Sequence, residues 1–120
     1  MSQTSTENIG QTHNDWLRTL KSYKEELRLL KDKLTEIGGK TKVPEVAVEV
    51  ERYENRLMVQ QENIKRLRHT ISSNIETLDA QAPSNGSDER YLQLGNEFSA
   101  EEKAVNELRH DFNRFSAEWL

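Results

Sequence analysis

The sequence predicts an all-α fold, an antiparallel up-down-up three-helix bundle with coiled-coil-like heptad packing. Charged residues make up 32% of the 120 residues and apolar residues only 33%, with five glycines and two prolines. Ala, Glu, Lys, Leu and Arg account for 52 of the 120 residues, which is typical of long helices. Three stretches also carry apolar residues at alternating steps of four and three, the spacing of one helix face.

The first helix is predicted over about 12–37. The polar segment before it, at 1–11, is predicted to be a flexible N-terminal tail. One domain then fills residues 12–120, because the length leaves no room for two. Gly38-Gly39 is expected to end the helix in a left-handed conformation. The inward-facing positions, called the seam below, are His13, Trp16, Leu20, Tyr23, Leu27, Leu30, Leu34 and Ile37.

The second helix is predicted over about 44–80, with Pro44 in its first turn, where the missing N–H costs nothing. Its seam is Val46, Val50, Tyr53, Leu57, Gln60, Ile64, Leu67, Ile71, Asn74 and Leu78. The third helix is predicted over about 88–119, with Ser87 as its N-terminal cap. Its seam is Tyr91, Leu94, Phe98, Glu101, Val105, Leu108, Phe112, Phe115 and Trp119.

The two connections are too short to return the chain along helices of about 39–55 Å, so consecutive helices must run antiparallel. Turns near 41 and 84 place His13 beside His69, and His69 near position 99 of the third helix. His13, His69 and Glu101 are therefore expected at one end of the bundle. We interpret them as a polar plug in which a histidine binds the Glu101 carboxylate and gains a raised pKa. A metal or anion site, or a pH-sensitive latch, is the alternative; no metal and no cofactor are predicted.

Two further polar residues interrupt the second seam. Gln60 lies at mid-helix and is interpreted as a residue that fixes register. Asn74 is expected to lie beyond the start of the first helix, where water reaches it.

A candidate interaction surface lies on the second helix. Met58 and Val59 are apolar residues outside the seam, and Lys65, Arg66 and Arg68 form the one basic cluster. Because the third helix is acidic, these basic side chains are expected to pair with it rather than with nucleic acid.

Composition and missing motifs exclude several classes of function. The net charge of −4 argues against a general nucleic-acid binder, and no apolar run is long enough for a membrane helix. No phosphate loop, dinucleotide fingerprint or nucleophile motif occurs, so no enzymatic activity is predicted. The absence of cysteine excludes a disulfide scaffold and fits a cytoplasmic protein.

Two resemblances can be named. The heptad-patterned three-helix unit with Trp16 early in its first helix is similar to a single spectrin-type repeat. His13-x-x-Trp16, Tyr53-x-x-x-Leu57 and Leu67-x-His69-x-Ile71 resemble a set of small bacterial helical proteins without an assigned function. This resemblance implies a bacterial cytoplasmic protein and no site residues.

The sequence thus favours a non-enzymatic structural or protein-interaction bundle, acting on an unknown protein partner or by self-association. The alternative is a bundle that holds a metal or small ligand at its His/Glu end.

Overall fold

Three long α-helices pack against one another in the computed structural model, which confirms the predicted all-α three-helix bundle. The structure describes residues 6–80 and 85–119, with side chains at 11–74 and 89–119. Helix α1 spans Thr6–Lys40, α2 spans Pro44–Ala80 and α3 spans Asn85–Trp119. Helices of this length extend about 50–55 Å, which accounts for a bundle 59 Å long and 25 × 17 Å across.

The core follows the seam. Every buried side chain in the described part of the chain lies at a predicted seam position, and the polar ones are His13, Asn74 and Glu101. The apolar core comprises Leu20, Leu27, Leu30, Leu34, Ile37, Val46, Tyr53, Leu57, Ile64, Leu67, Ile71, Leu94, Val105, Leu108, Phe112 and Phe115. Leu17 lies beside the seam, is partly buried and packs against this core. The stripes of the three helices therefore meet in one elongated core.

Helix α1 is longer than predicted at both ends. Residues 6–11 are helical rather than part of a flexible tail, while residues 1–5 lie outside the described residues. The helix also continues through Gly38-Gly39, since the Thr41 amide donates to the Ile37 carbonyl at 3.0 Å. No described glycine has a positive φ, so the left-handed helix end expected here does not form. A glycine pair in helical conformation weakens a helix without ending it.

The turn between α1 and α2 is consequently short. Helix α2 begins at Pro44, as predicted, and the Val43 carbonyl accepts from the amides of Val46 and Ala47 at 3.0 and 3.2 Å. Helix α3 begins at Asn85, three residues before the predicted start, so Ser87 lies inside the helix and does not cap it.

These shifts change which residues meet across the bundle. His13 lies beside Asn74 of α2, five residues beyond the predicted neighbour His69. On α3 its ring neighbour is Tyr91, rather than a residue near position 99. The antiparallel arrangement is unchanged, but each helix is displaced along its neighbour.

Contacts beside the core join α3 to both other helices. Tyr23 of α1 donates its hydroxyl to Glu102 at 2.9 Å, and Arg109 forms an ion pair with Glu26 of α1. The hydroxyl of Tyr53 on α2 donates to the Asp111 carbonyl at 3.1 Å.

Among the described residues, no helix carries an apolar stretch that could cross a bilayer.

Candidate functional site

The Glu101 carboxyl lies in the middle of the α2–α3 interface and is 7% exposed. The nitrogen of the Gln60 side-chain amide, in its donating orientation, lies 3.1 and 2.6 Å from the two carboxyl oxygens. A neutral amide from the facing helix therefore satisfies the carboxyl at a seam position where apolar residues are the rule.

Burial changes the acidity of this group. Desolvation raises the pKa of Glu101 from 4.5 to about 7, and the positive charge of Arg66 opposes that rise. Glu101 therefore exchanges its proton near neutral pH, which is unusual for a glutamate.

A groove of about 460 Å³, called the central groove below, opens between α2 and α3 above this pair. Short side chains contribute to its lining, with Asn63 and Thr70 from α2 and Ala100 and Ala104 from α3. Its lining consists of Gln60, Asn63, Arg66, Leu67, Thr70, Arg90, Gln93, Leu94, Glu97, Ala100, Glu101 and Ala104. Further along the same interface, Arg56 and Asp111 form an ion pair at 3.1 Å that closes the gap.

Beyond that ion pair lies a second groove of about 460 Å³, called the terminal groove below. It lies between the first turns of α2 and the last turns of α3. Its lining consists of Glu45, Val46, Glu49, Tyr53, Asp111, Arg114, Phe115, Glu118 and Trp119. The rings of Tyr53 and Phe115 stack with centroids 5.0 Å apart. The terminal groove thus combines aromatic side chains with an acidic rim.

The other buried polar pair lies towards the opposite end of the bundle. Nδ2 of Asn74 lies 2.9 Å from Nε2 of His13, and both residues are buried. With the amide nitrogen as donor, Nε2 accepts, which assigns the ring proton to Nδ1. The rings of Trp16 and Tyr91 lie 5.1 and 5.8 Å from that of His13. Asn74 is 6% exposed rather than solvated as predicted, because the shifted register places it beside His13 of α1.

The predicted meeting of His13, His69 and Glu101 is wrong. Glu101 lies ten residues beyond Tyr91 on α3, about 15 Å along the helix axis. His69 is exposed on the surface of α2. In the described ranges, no group of three or more His, Asp or Glu side chains is placed to hold a metal ion.

The apolar part of the candidate interaction surface is exposed. Met58 and Val59 of α2 are exposed by 56% and 50%, and Val48 of the same helix is exposed by 59%. Exposed apolar side chains such as these are common on protein surfaces, and their role in binding a partner stays a prediction.

The predicted pairing of the basic cluster with α3 is represented by Arg66, whose positive charge lowers the pKa of Glu101 on that helix. Lys65 and Arg66 are exposed and Arg68 is partly buried. Arg66 donates to Asn63 of its own helix at 2.6 Å and lines the central groove. The ion pair that links α2 to α3 is made by Arg56, ten residues before Arg66.

Sequence reasoning missed both grooves. The available signal was the pair Ala100 and Ala104, small side chains on the flank of α3 where longer ones would cover the gap. That signal can be interpreted only when the register between α2 and α3 is known.

No family model matches this chain, and neither a curated protein nor a solved structure shows significant similarity to it.

Proposed function

We propose that the protein is a non-enzymatic protein-interaction module that binds a basic segment of a partner protein in the terminal groove. One observation carries this proposal: the terminal groove combines aromatic side chains with an acidic rim. The floor and wall comprise Tyr53, Phe115 and Trp119. The rim carries four carboxylates and one cation: Glu45, Glu49, Asp111, Glu118 and Arg114.

The charged side chains around this groove are mostly negative. The last turn of α3 contains Glu118 and no basic residue. Glu49 and Asp111 already pair with Arg52 and Arg56. Glu45 and Glu118 are exposed carboxylates that a partner can reach.

Arg56 provides an internal example of the recognition we propose. Its guanidinium lies 5.5 Å from the centre of the Tyr53 ring and also pairs with Asp111. Cations bind aromatic faces in this way, and a neighbouring carboxylate adds to the attraction. A partner segment with Lys or Arg beside an apolar residue would use both features, placing the apolar side chain against Phe115 and Trp119.

The non-enzymatic part of the proposal is supported by the contacts that the buried ionisable side chains make. Glu101 and His13 are engaged by the amides of Gln60 and Asn74, which are contacts within the bundle itself. The alternative, a metal or small ligand held by His13, His69 and Glu101, loses its support because those residues lie apart. The proposal also includes a bacterial cytoplasmic setting. This setting is supported by the cysteine-free composition and by the resemblance to small bacterial helical proteins.

The test is calorimetric titration with a helical peptide of leucine and lysine, compared with a matched peptide of leucine and glutamate. We expect the lysine peptide to bind more tightly, with an affinity that falls as salt is added. The double variant Glu45→Gln/Glu118→Gln should weaken binding about two- to thirtyfold, since exposed ion pairs contribute roughly 0.2–1 kcal/mol each.

The matched control is Glu62→Gln/Glu107→Gln, which removes two exposed carboxylates from the same two helices outside the terminal groove. Equal weakening in both double variants would show a general charge effect and contradict the proposal. Equal binding of the glutamate peptide would contradict it as well. A dimer that dissociates only in Glu45→Gln/Glu118→Gln would assign the groove to a second copy of the chain instead.

A further inference from the structure

The central groove plays no part in the proposed interaction, yet it is the place where a buried carboxyl meets open space. We propose that the central groove binds a small amphipathic anion, a carboxylate attached to a short aliphatic body. This inference is independent of the terminal groove, because the two grooves share no lining residue.

The polar side of the groove suits a carboxylate. Arg66 is exposed at the rim, and its hydrogen bond to Asn63 orients the guanidinium. An arginine fork binds carboxylates through two parallel hydrogen bonds. At the floor, the Glu101 carboxyl in its protonated form and the Gln60 amide add hydrogen-bonding groups within the same groove.

The apolar side explains why the ligand should be amphipathic. Leu67 and Leu94 are buried core residues that form part of the floor, and Ala100 and Ala104 form part of the wall. A purely hydrophilic ion would leave this lining in contact with water. The volume of about 460 Å³ lies within the usual range of small-molecule sites, roughly 300–1,000 Å³.

The charged side chains that line the central groove determine the sign of the ligand. Arg66 comes from α2, and Arg90 and Glu97 come from α3. On the α1 side, the hydroxyl of Tyr23 is engaged by Glu102. With Glu101 protonated, the lining carries one net positive charge, and ionisation of Glu101 cancels it.

Anion binding is therefore favoured by the protonated carboxyl. The pKa of Glu101 is about 7, so its protonated fraction falls steeply from slightly acidic to slightly basic solution. If the anion binds only the protonated form, its affinity falls about tenfold between about pH 6 and pH 8. By the same linkage, binding takes up a proton.

The test uses octanoate as the probe, with octylamine and octanol as probes of the same length but different charge. Titrations followed by amide chemical shifts should show octanoate perturbing groove residues at lower concentration than either of the others. Arg66→Gln should weaken octanoate binding at least about fivefold. Arg18→Gln, at an exposed arginine of α1 paired with Asp15, is the matched control and should have no effect.

Two further variants distinguish octanoate binding in the central groove from non-specific binding to the protein surface. Ala104→Leu fills the groove and should abolish octanoate binding, and its unfolding curve will show that the fold is kept. Glu101→Gln should bind octanoate with the same affinity from slightly acidic to slightly basic solution. The inference is overturned if octylamine or octanol binds as well as octanoate. Octanoate binding that survives both Arg66→Gln and Ala104→Leu would equally overturn it.

Discussion

Replacing Glu101 by glutamine should stabilise the protein, and the gain should grow as the pH rises. Glutamine has nearly the shape of glutamate and keeps a hydrogen bond to Gln60, but it carries no charge at any pH. The variant therefore removes only the cost of holding an ionised carboxyl inside the α2–α3 interface.

The sign and size follow from the two pKa values of this group. Its pKa is 4.5 when exposed in the unfolded chain and about 7 in the folded protein. As the pH rises between these values the unfolded chain releases its proton first, so stability is lost up to about pH 7 and stays constant above it. At 1.36 kcal/mol per pH unit, full desolvation would cost about 3 kcal/mol. Because the central groove admits water beside the carboxyl, we expect roughly 1–3 kcal/mol.

Urea unfolding of the wild type and of Glu101→Gln, at several values between about pH 5 and pH 8, measures this directly. The free energy of unfolding of Glu101→Gln should exceed that of the wild type by an amount that grows with pH, reaching roughly 1–3 kcal/mol at the basic end. Glu107→Gln, at an exposed glutamate of α3, is the control, and its difference from wild type should stay constant. A Glu101→Gln protein no more stable than the wild type at the basic end would refute the reasoning, because the carboxyl would then be solvated.

Three other substitutions test the fold. Gly38→Ala/Gly39→Ala should raise the free energy of unfolding by about 0.5–1 kcal/mol per site, because an added Cβ meets nothing closer than 3.7 Å; a left-handed helix end would make the same change destabilising. Asn74→Ala should cost about 1–3 kcal/mol by removing a hydrogen bond to the buried His13 ring, and a change of only a few tenths would mean that water replaces it. Phe112→Ala should cost about 3–5 kcal/mol through the cavity left in the core, and a much smaller loss would place Phe112 outside that core. Urea unfolding measures all three.

The core could be predicted from the sequence because the heptad pattern is local. Whether a position faces inward depends on its spacing from apolar neighbours on the same helix, and this information does not require the other helices. For this reason even the polar residues His13, Asn74 and Glu101 are buried at seam positions, despite their chemistry.

The partners of those residues could not be predicted in the same way, because they depend on where the turns lie. In an antiparallel pair, moving the midpoint of a turn by one residue changes every partner on the next helix by two. The helical conformation of Gly38-Gly39 moves the first turn towards α2, and the early start of α3 moves the second turn. The two displacements add between α1 and α3. A small error at helix ends, where local signals are weakest, therefore moves the α3 neighbour of His13 from near position 99 to Tyr91, which is ten residues before Glu101.

With the register known, the polar pairs themselves explain why this alignment is preferred. A slip of one heptad between α2 and α3 would move Glu101 from Gln60 to Leu67 or Tyr53. The carboxyl would then lose its amide donor while remaining buried, which is far more costly than exposing it. An apolar seam alone tolerates such a slip, since one apolar residue replaces another. Gln60 thus has a physical means of fixing register through its hydrogen bonds to Glu101.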